Sequence, residues 1–150
     1  MKHSLSVLTV VLTAMLAPAN GGVSAAHIAA DAVAGTVKVT VTYKGKGTVD
    51  RSHKLWVWVF DTPNIGAGSM PIGQLSLDTN GADAVFENVA GETVYLAAAF
   101  DESGSMMGDA PPPTGSPIGI LSGANGAPAG VTPGAKSTAV LNFDDTIRMP

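Results

Sequence analysis

The sequence predicts an all-β fold: an antiparallel sandwich of about seven strands with Greek-key connections, preceded by a cleavable signal peptide. Three observations support this class. The chain holds 18 glycines and 10 prolines but only 13% charged residues, which is typical of short strands joined by turns. Apolar residues recur with a period of two in short runs that Gly- and Pro-rich segments separate. Beyond the N-terminal segment, no stretch carries a convincing helical period.

The first 26 residues show the three-part pattern of a secretory signal peptide. Lys2 gives a positively charged start, and the apolar run over 5–16 is too short to span a bilayer. Small residues then offer cleavage sites after Ala25 or Ala26. A Sec-type signal predicts a secreted or periplasmic protein without an integral membrane segment after cleavage. The expected organisation is a signal peptide over 1–26, a flexible leader over 27–34 and the sandwich over 35–148.

The segment from Lys54 to Asp61 predicts the central strand of the fold. It is apolar on both alternating faces, rich in β-branched and aromatic residues, and too short for a buried helix. We therefore expect both faces of this strand to be covered. One face carries Leu55, Val57 and Val59, and the other carries Trp56, Trp58 and Phe60.

A second strand with two apolar faces is predicted over 93–101. One face carries larger residues such as Leu96 and Phe100, and the other carries Tyr95 with the small Ala97 and Ala99. Dense protein interiors match large side chains with small ones. We therefore expect the two alanines to make room for the tryptophans of a neighbouring strand.

Five further strands complete the predicted sandwich. The first begins at Gly35 and alternates between apolar and polar residues, which predicts one buried and one wet face. Asn80-Gly81 is a strong hairpin signal between the third and fourth strands. A long loop over 102–117 contains three consecutive prolines, and a second long loop covers 122–134. The other four strands are predicted over 72–77, 84–89, 118–121 and 136–143.

Several short patterns together resemble a known family. The first strand opens with Gly35-x-Val37-x-Val39, and a later pattern, Phe86-x-Asn88-Val89-x-x-Gly91, leads into Val94-Tyr95-Leu96 and ends at Phe100-Asp101. These segments resemble the prealbumin-like (transthyretin-type) Greek-key modules described as carboxypeptidase regulatory-like domains, which occur in many exported bacterial proteins. The resemblance covers Gly35 to about Arg148. It implies a non-catalytic module that serves in folding support, adhesion or carbohydrate contact.

The composition excludes several functional classes. Without cysteine, the chain has neither disulfides, nor thiol catalysis, nor zinc–thiolate sites. Its net charge of −4 becomes −5 once Lys2 is removed with the signal peptide, so nucleic acid is not an expected partner. His53 is the only histidine of the predicted sandwich, and no nucleophile motif accompanies it. We therefore predict no enzyme activity, no catalytic residues and no cofactor-binding residues.

Three predicted strands end in the same Phe-Asp dipeptide, at residues 60–61, 100–101 and 143–144. In one interpretation, the aromatic ring closes the end of the core and the aspartate caps the following turn. In the other, the later two dipeptides and the loop after residue 101 form a calcium site, because calcium prefers carboxylate oxygens. If consecutive strands alternate in direction, the fifth and seventh strands end at the same edge and Asp61 lies at the opposite end. The candidate ligands are Asp101, Glu102, Asp109 and Asp144, or the neighbouring Asp145.

A copper site at the mature N-terminus is a second metal hypothesis. Cleavage after Ala26 would place His27 first, where its imidazole and the free α-amine chelate copper together. Cleavage after Ser24 would place His27 third, which also suits square-planar Cu(II). The plain alternative is an ordinary histidine in a leader segment. Further nitrogen or sulfur ligands would be His53, Met70, Met106 and Met107.

The functional prediction is an exported, non-catalytic β-sandwich module with a binding or structural role. Its partner would be a protein, a carbohydrate or a small ligand. The first place to look for binding is the loop over 102–117, because loops on a rigid sandwich carry recognition and polyproline is pre-ordered. The alternative is a periplasmic protein that binds copper or calcium through His27 or the loop between Asp101 and Asp109.

Overall fold

The computed structural model describes residues 34–66 and 68–150. The predicted signal peptide, the leader as far as Val33, and the candidate ligand His27 lie outside the described residues. Within them, all seven predicted strands are present and no helix occurs, so none could cross a membrane. The strands are β1 (Gly35–Tyr43), β2 (Leu55–Phe60), β3 (Gly73–Leu77), β4 (Asp83–Val89), β5 (Tyr95–Phe100), β6 (Ile118–Ile120) and β7 (Thr138–Phe143).

The strands form two sheets, in the orders β4-β1-β7 and β3-β2-β5-β6. Three strands, β1, β5 and β7, finish at the same end of the sandwich. Their last aromatic residues meet there: the ring of Tyr43 stacks on Phe100 at a centroid distance of 4.4 Å and lies 5.2 Å from Phe143. The fifth and seventh strands therefore end at one edge, as alternation of strand direction predicts. Because β2 runs antiparallel to β5, Asp61 follows a strand that ends on the opposite side.

One strand pair is parallel, so the prediction of an entirely antiparallel sandwich is wrong. β1 pairs with β7 in parallel, from Lys38 opposite Thr138 to Tyr43 opposite Phe143. Because each strand reverses the direction of the one before it, the first and the seventh point the same way. Placing them side by side in one sheet therefore makes the pair parallel. The other strand pairs of the two sheets are antiparallel.

The core between the sheets consists of the inward residues of both sheets. The β1 side chains Val37, Val39 and Val41 are fully buried, in the alternation that the sequence predicts. Each fully buried Val, Leu or Phe side chain contributes roughly 1.5–3 kcal/mol relative to an exposed one. The opposite sheet supplies Leu55, Val57, Val59, Leu96, Ala98 and Phe100.

A second apolar cluster lies on the outer face of the four-stranded sheet. It is centred on Trp58 and Phe60 of β2 with Ala97 and Ala99 of β5, and Trp56 packs against it. Trp58 is only 5% exposed. The prediction that both faces of β2 are covered is therefore confirmed. The cover on this outer face comes from loops of the same chain, because residues of both long β2–β3 and β5–β6 connections pack against the cluster.

The Asn80-Gly81 turn joins different sheets, so the hairpin prediction is wrong. Gly81 adopts a left-handed φ of 79°, as the turn requires, but β3 and β4 do not pair with each other. The Asn80 side chain instead bonds the end of β1: its Oδ1 accepts from the Tyr43 N–H at 2.8 Å, and its Nδ2 donates to the Tyr43 carbonyl at 2.7 Å. These two bonds fix a corner of the sandwich.

Candidate functional site: an apolar trough on the outer sheet face

The outer face of the four-stranded sheet carries a groove along β5, which we call the trough. The strand register sets Trp58, Ala97 and Ile120 side by side across three strands, and sets Trp56, Ala99 and Ile118 in the adjacent row. Each row reads large, small, large. The alanines therefore form a low floor between a ridge of indole rings on β2 and a ridge of isoleucines on β6.

Two loops wall the trough on its sides and leave an open cavity of about 390 Å³. The loop between β2 and β3 contributes Ile65, Met70 and Pro71, and the loop between β5 and β6 contributes residues 108–112. Met149 of the C-terminal segment also lines the cavity. The volume falls near the lower end of the ~300–1,000 Å³ range of small-molecule pockets.

Gly108 fixes the loop between β5 and β6 against the indole ridge. The Nε1 of Trp58 donates a hydrogen bond of 3.0 Å to the Gly108 carbonyl oxygen. Gly108 has a φ of 79°, and a Cβ at this position would lie 2.1 Å from Cζ3 of Trp56. Only glycine fits here, because the backbone is left-handed and lies directly on the ring. The Nε1 of Trp56 is itself buried without a hydrogen-bond partner among the described residues.

Asp101 holds the start of the same loop. Its side chain is buried, and the residue is 2% exposed. One carboxylate oxygen accepts from the Ser103 hydroxyl at 3.0 Å and the Ser105 N–H at 3.2 Å, and the other accepts from the Met106 N–H at 2.9 Å. The turn-capping interpretation of this Phe-Asp dipeptide is therefore confirmed.

Arg148 attaches the C-terminal segment to both ends of the same loop. Its guanidinium lies 2.9 Å from Glu102 and 3.4 Å from Asp145, and it donates to the Gly115 carbonyl. The Glu102 carboxylate raises the pKa of Arg148 above its usual range. Backbone hydrogen bonds between residues 115–116 and Met149 run alongside, at 2.8 and 2.9 Å. The carboxylates of the two strand ends thus meet around an arginine.

The phenol of Tyr43 completes this cluster by donating to the Asp145 carboxylate. Burial, followed by that hydrogen bond, raises the pKa of Tyr43 to about 12. The same hydrogen bond is the main cause that lowers the pKa of Asp145. The cluster ties the tail to the aromatic end of the core.

Of the predicted calcium ligands, Glu102 and the neighbouring Asp145 share Arg148, whereas Asp101, Asp109 and Asp144 have separate surroundings. Asp101 and Glu102 are engaged as described, and Asp144 accepts from the Thr146 N–H at 2.8 Å. The side-chain hydrogen bond from Thr146, followed by this backbone one, lowers the pKa of Asp144. Asp109 is exposed at the trough. Within residues 34–66 and 68–150, no three carboxylate or imidazole groups come close enough to hold one metal ion.

The calcium and copper hypotheses remain predictions. His53 lies on the turn before β2, with Nδ1 3.2 Å from Asp50, and does not line the trough. Of the methionines named as candidate copper ligands, Met70 lines the trough and is 79% exposed, and Met106 packs against the outer cluster.

The lining of the trough is mostly apolar. Among the lining residues that the structure describes, Asp109 is the only ionisable one. The Ser69 hydroxyl donates to the Asn64 carbonyl and accepts from the Gly66 N–H. Both of these hydrogen bonds lie within the loop between β2 and β3. No acid–base pair or activated nucleophile faces the cavity from the described chain.

The sequence predicted one wall of the trough and not the others. The loop over 102–117 was the predicted place for binding, and its residues 108–112 do line the cavity. Ile65, Met70 and Met149 come from distant segments that carry no local signal of a shared site. The available signal was the alanine pair opposite two tryptophans, which indicates a low floor once strand register is known.

Comparisons with protein-family models, curated proteins and solved structures gave no significant match to this chain.

Proposed function

We propose that this protein is an exported, non-catalytic β-sandwich module that binds a small apolar ligand in the trough. The observation that carries the proposal is the cavity of about 390 Å³ that two loops wall on an aromatic sheet face. A sandwich of seven strands gives a rigid floor, and two loops give the walls. The predicted signal peptide supports export, and the absence of an acid–base pair in the lining supports a binding role.

The test uses the neutral dye Nile red, whose fluorescence rises in an apolar site. We expect saturable binding to the purified protein. Ala97→Leu should weaken it at least roughly tenfold, because the added side chain fills the floor of the cavity. Val140→Leu is the matched control: Val140 is 60% exposed on the other sheet, so the same residue type is introduced away from the trough.

Three results would contradict the proposal. The first is a failure of Nile red to bind at all, and the second is equal binding by Ala97→Leu and Val140→Leu while both remain folded by circular dichroism. Reversible dimerisation that Ala97→Leu abolishes would show that a second copy covers the trough. Metal analysis of protein from its native compartment provides a separate check, since stoichiometric copper or calcium would favour the metal-binding alternative.

Export has its own test. N-terminal sequencing of the secreted or periplasmic protein should find a start at Ala26 or His27. A chain that retains Lys2 would contradict the signal-peptide prediction without affecting the trough.

A further inference from the structure

Within the part of the chain that the structure describes, the trough carries a single ionisable group, the carboxylate of Asp109. Its position is set by the residue before it, because the Gly108 carbonyl accepts the hydrogen bond from Trp58 Nε1. The carboxylate-bearing residue is therefore held next to the aromatic ridge. The other lining residues are apolar, aromatic or neutral polar ones.

No cation of the described chain neutralises this carboxylate. The ion pairs among residues 34–66 and 68–150 join Lys38 to Asp83, His53 to Asp50, and Arg148 to Glu102 and Asp145. No lysine, arginine or histidine of the described residues lines the trough. The whole chain also carries a net charge of −4. The local charge therefore favours a cationic ligand and disfavours an anionic one.

The aromatic ridge favours the same ligand class. Trp58 and Phe60 both line the cavity, and aromatic faces attract ammonium groups as well as flat rings. The floor at Ala97 leaves room for a ring system beside the indole. The volume of about 390 Å³ suits a ligand of one or two rings better than a larger one.

From these observations we infer that the trough selects small aromatic amines. The rings occupy the floor beside Trp58, and the ammonium group faces Asp109. This inference rests on the proposed function, since it names the ligand class of the same cavity. It adds a specificity residue, Asp109, that contacts the ligand's charge and is not required for apolar binding itself.

The experiment compares three probes of one shape by titration calorimetry: 2-naphthylmethylamine, 2-naphthalenemethanol and 2-naphthoate. We expect the amine to bind roughly two- to fivefold more tightly than the alcohol, because a partly exposed ion pair contributes a gain of that size. The carboxylate should bind most weakly. The preference should shrink at 0.5 M salt because ions screen an exposed pair. Asp109→Asn should bring the ratio of amine affinity to alcohol affinity down to about one.

Glu87→Gln serves as the matched control, because it removes one negative charge from the exposed face of the other sheet. This variant should keep the preference for the amine. If the alcohol binds and the amine gains nothing, or if Asp109→Asn and Glu87→Gln behave alike, the inference fails and the proposed function stands. If none of the three probes and no Nile red binds, both fail.

Discussion

The indole nitrogen of Trp58 lies 3.0 Å from the carbonyl oxygen of Gly108, and this hydrogen bond joins the sheet to its covering loop. The two residues are separated by 50 positions in the chain. The bond satisfies a buried donor that would otherwise cost free energy. It also places the next residue, Asp109, beside the trough. Sheet packing and the position of the candidate recognition residue therefore depend on the same contact.

Gly108→Ala should destabilise the protein and open the loop. An alanine at a left-handed φ costs about 1–2 kcal/mol, and the new Cβ would collide with the Trp56 ring, which adds roughly 1–3 kcal/mol. Gly126→Ala is the control, since Gly126 has a φ of 76° and open space around it. Urea unfolding of both variants measures the difference. Equal losses of unfolding free energy would show that the ring contact contributes nothing.

Asp101→Asn should destabilise the protein by about 1–3 kcal/mol. The asparagine has one carbonyl oxygen in place of two carboxylate oxygens, so a partly buried loop N–H at Ser105 or Met106 would lose its acceptor. Asp61→Asn is the matched control, because Asp61 follows a phenylalanine in the same way but is exposed. Thermal unfolding should shift for the first variant and stay within about 0.5 kcal/mol of the native protein for the second.

Local sequence predicted the strands well because burial in this fold follows simple alternation. The period of two in β1 and the two apolar faces of β2 each determine which side chains enter a core. The turn at Asn80-Gly81 shows the limit of such reasoning. Those two residues specify a tight reversal, but whether the next strand joins the same sheet depends on distant partners, here the hydrogen bonds of Asn80 to Tyr43.

The site was less predictable than the fold, for a related reason. Acidic residues close together in sequence suggested one metal site, yet Asp101 turns inward to bind loop amides while Glu102 turns outward to Arg148. The trough depends on register across three strands and on Met149, which reaches it from the end of the chain. Neither relationship has a signature within any single segment.

Burial of the Tyr43 phenol, together with its hydrogen bond to Asp145, predicts a stability change at alkaline pH. The pKa of Tyr43 is raised from 10.0 to about 12 in the folded protein, so its contribution is fully present below pH 10 and is lost as pH rises toward 12. Tyr43→Phe should be less stable than the native protein near neutral pH, by about 1 kcal/mol, and should lose less stability between pH 10 and 12. Tyr95→Phe is the control for general alkaline effects. Parallel pH profiles for the native protein and Tyr43→Phe, measured by urea unfolding, would contradict the assignment.

Acid should weaken the same hydrogen bond from its other side. The Tyr43 phenol lowers the pKa of Asp145, so this contribution is present above the unfolded pKa of about 3.9 and is lost as pH falls through the folded value. Asp145→Asn should therefore flatten the stability profile below about pH 4. Asp78→Asn, on an exposed turn, is the control. If Asp145→Asn loses stability below about pH 4 as steeply as the native protein does, other carboxylates cause that loss.

Arg148→Met should loosen the C-terminal segment without unfolding the sandwich. Exposed ion pairs contribute only about 0.2–1 kcal/mol, so global stability should change little. The amides of Gly115 and Met149, which bond across the two segments at 2.8 and 2.9 Å, should exchange their hydrogens faster because this region opens locally. Lys38→Met, which removes a comparable exposed pair with Asp83 on the other sheet, is the matched control and should leave those two amides unchanged. Hydrogen exchange that rises equally in both variants would mean that Arg148 does not act locally, and that the tail is held by its backbone bonds alone.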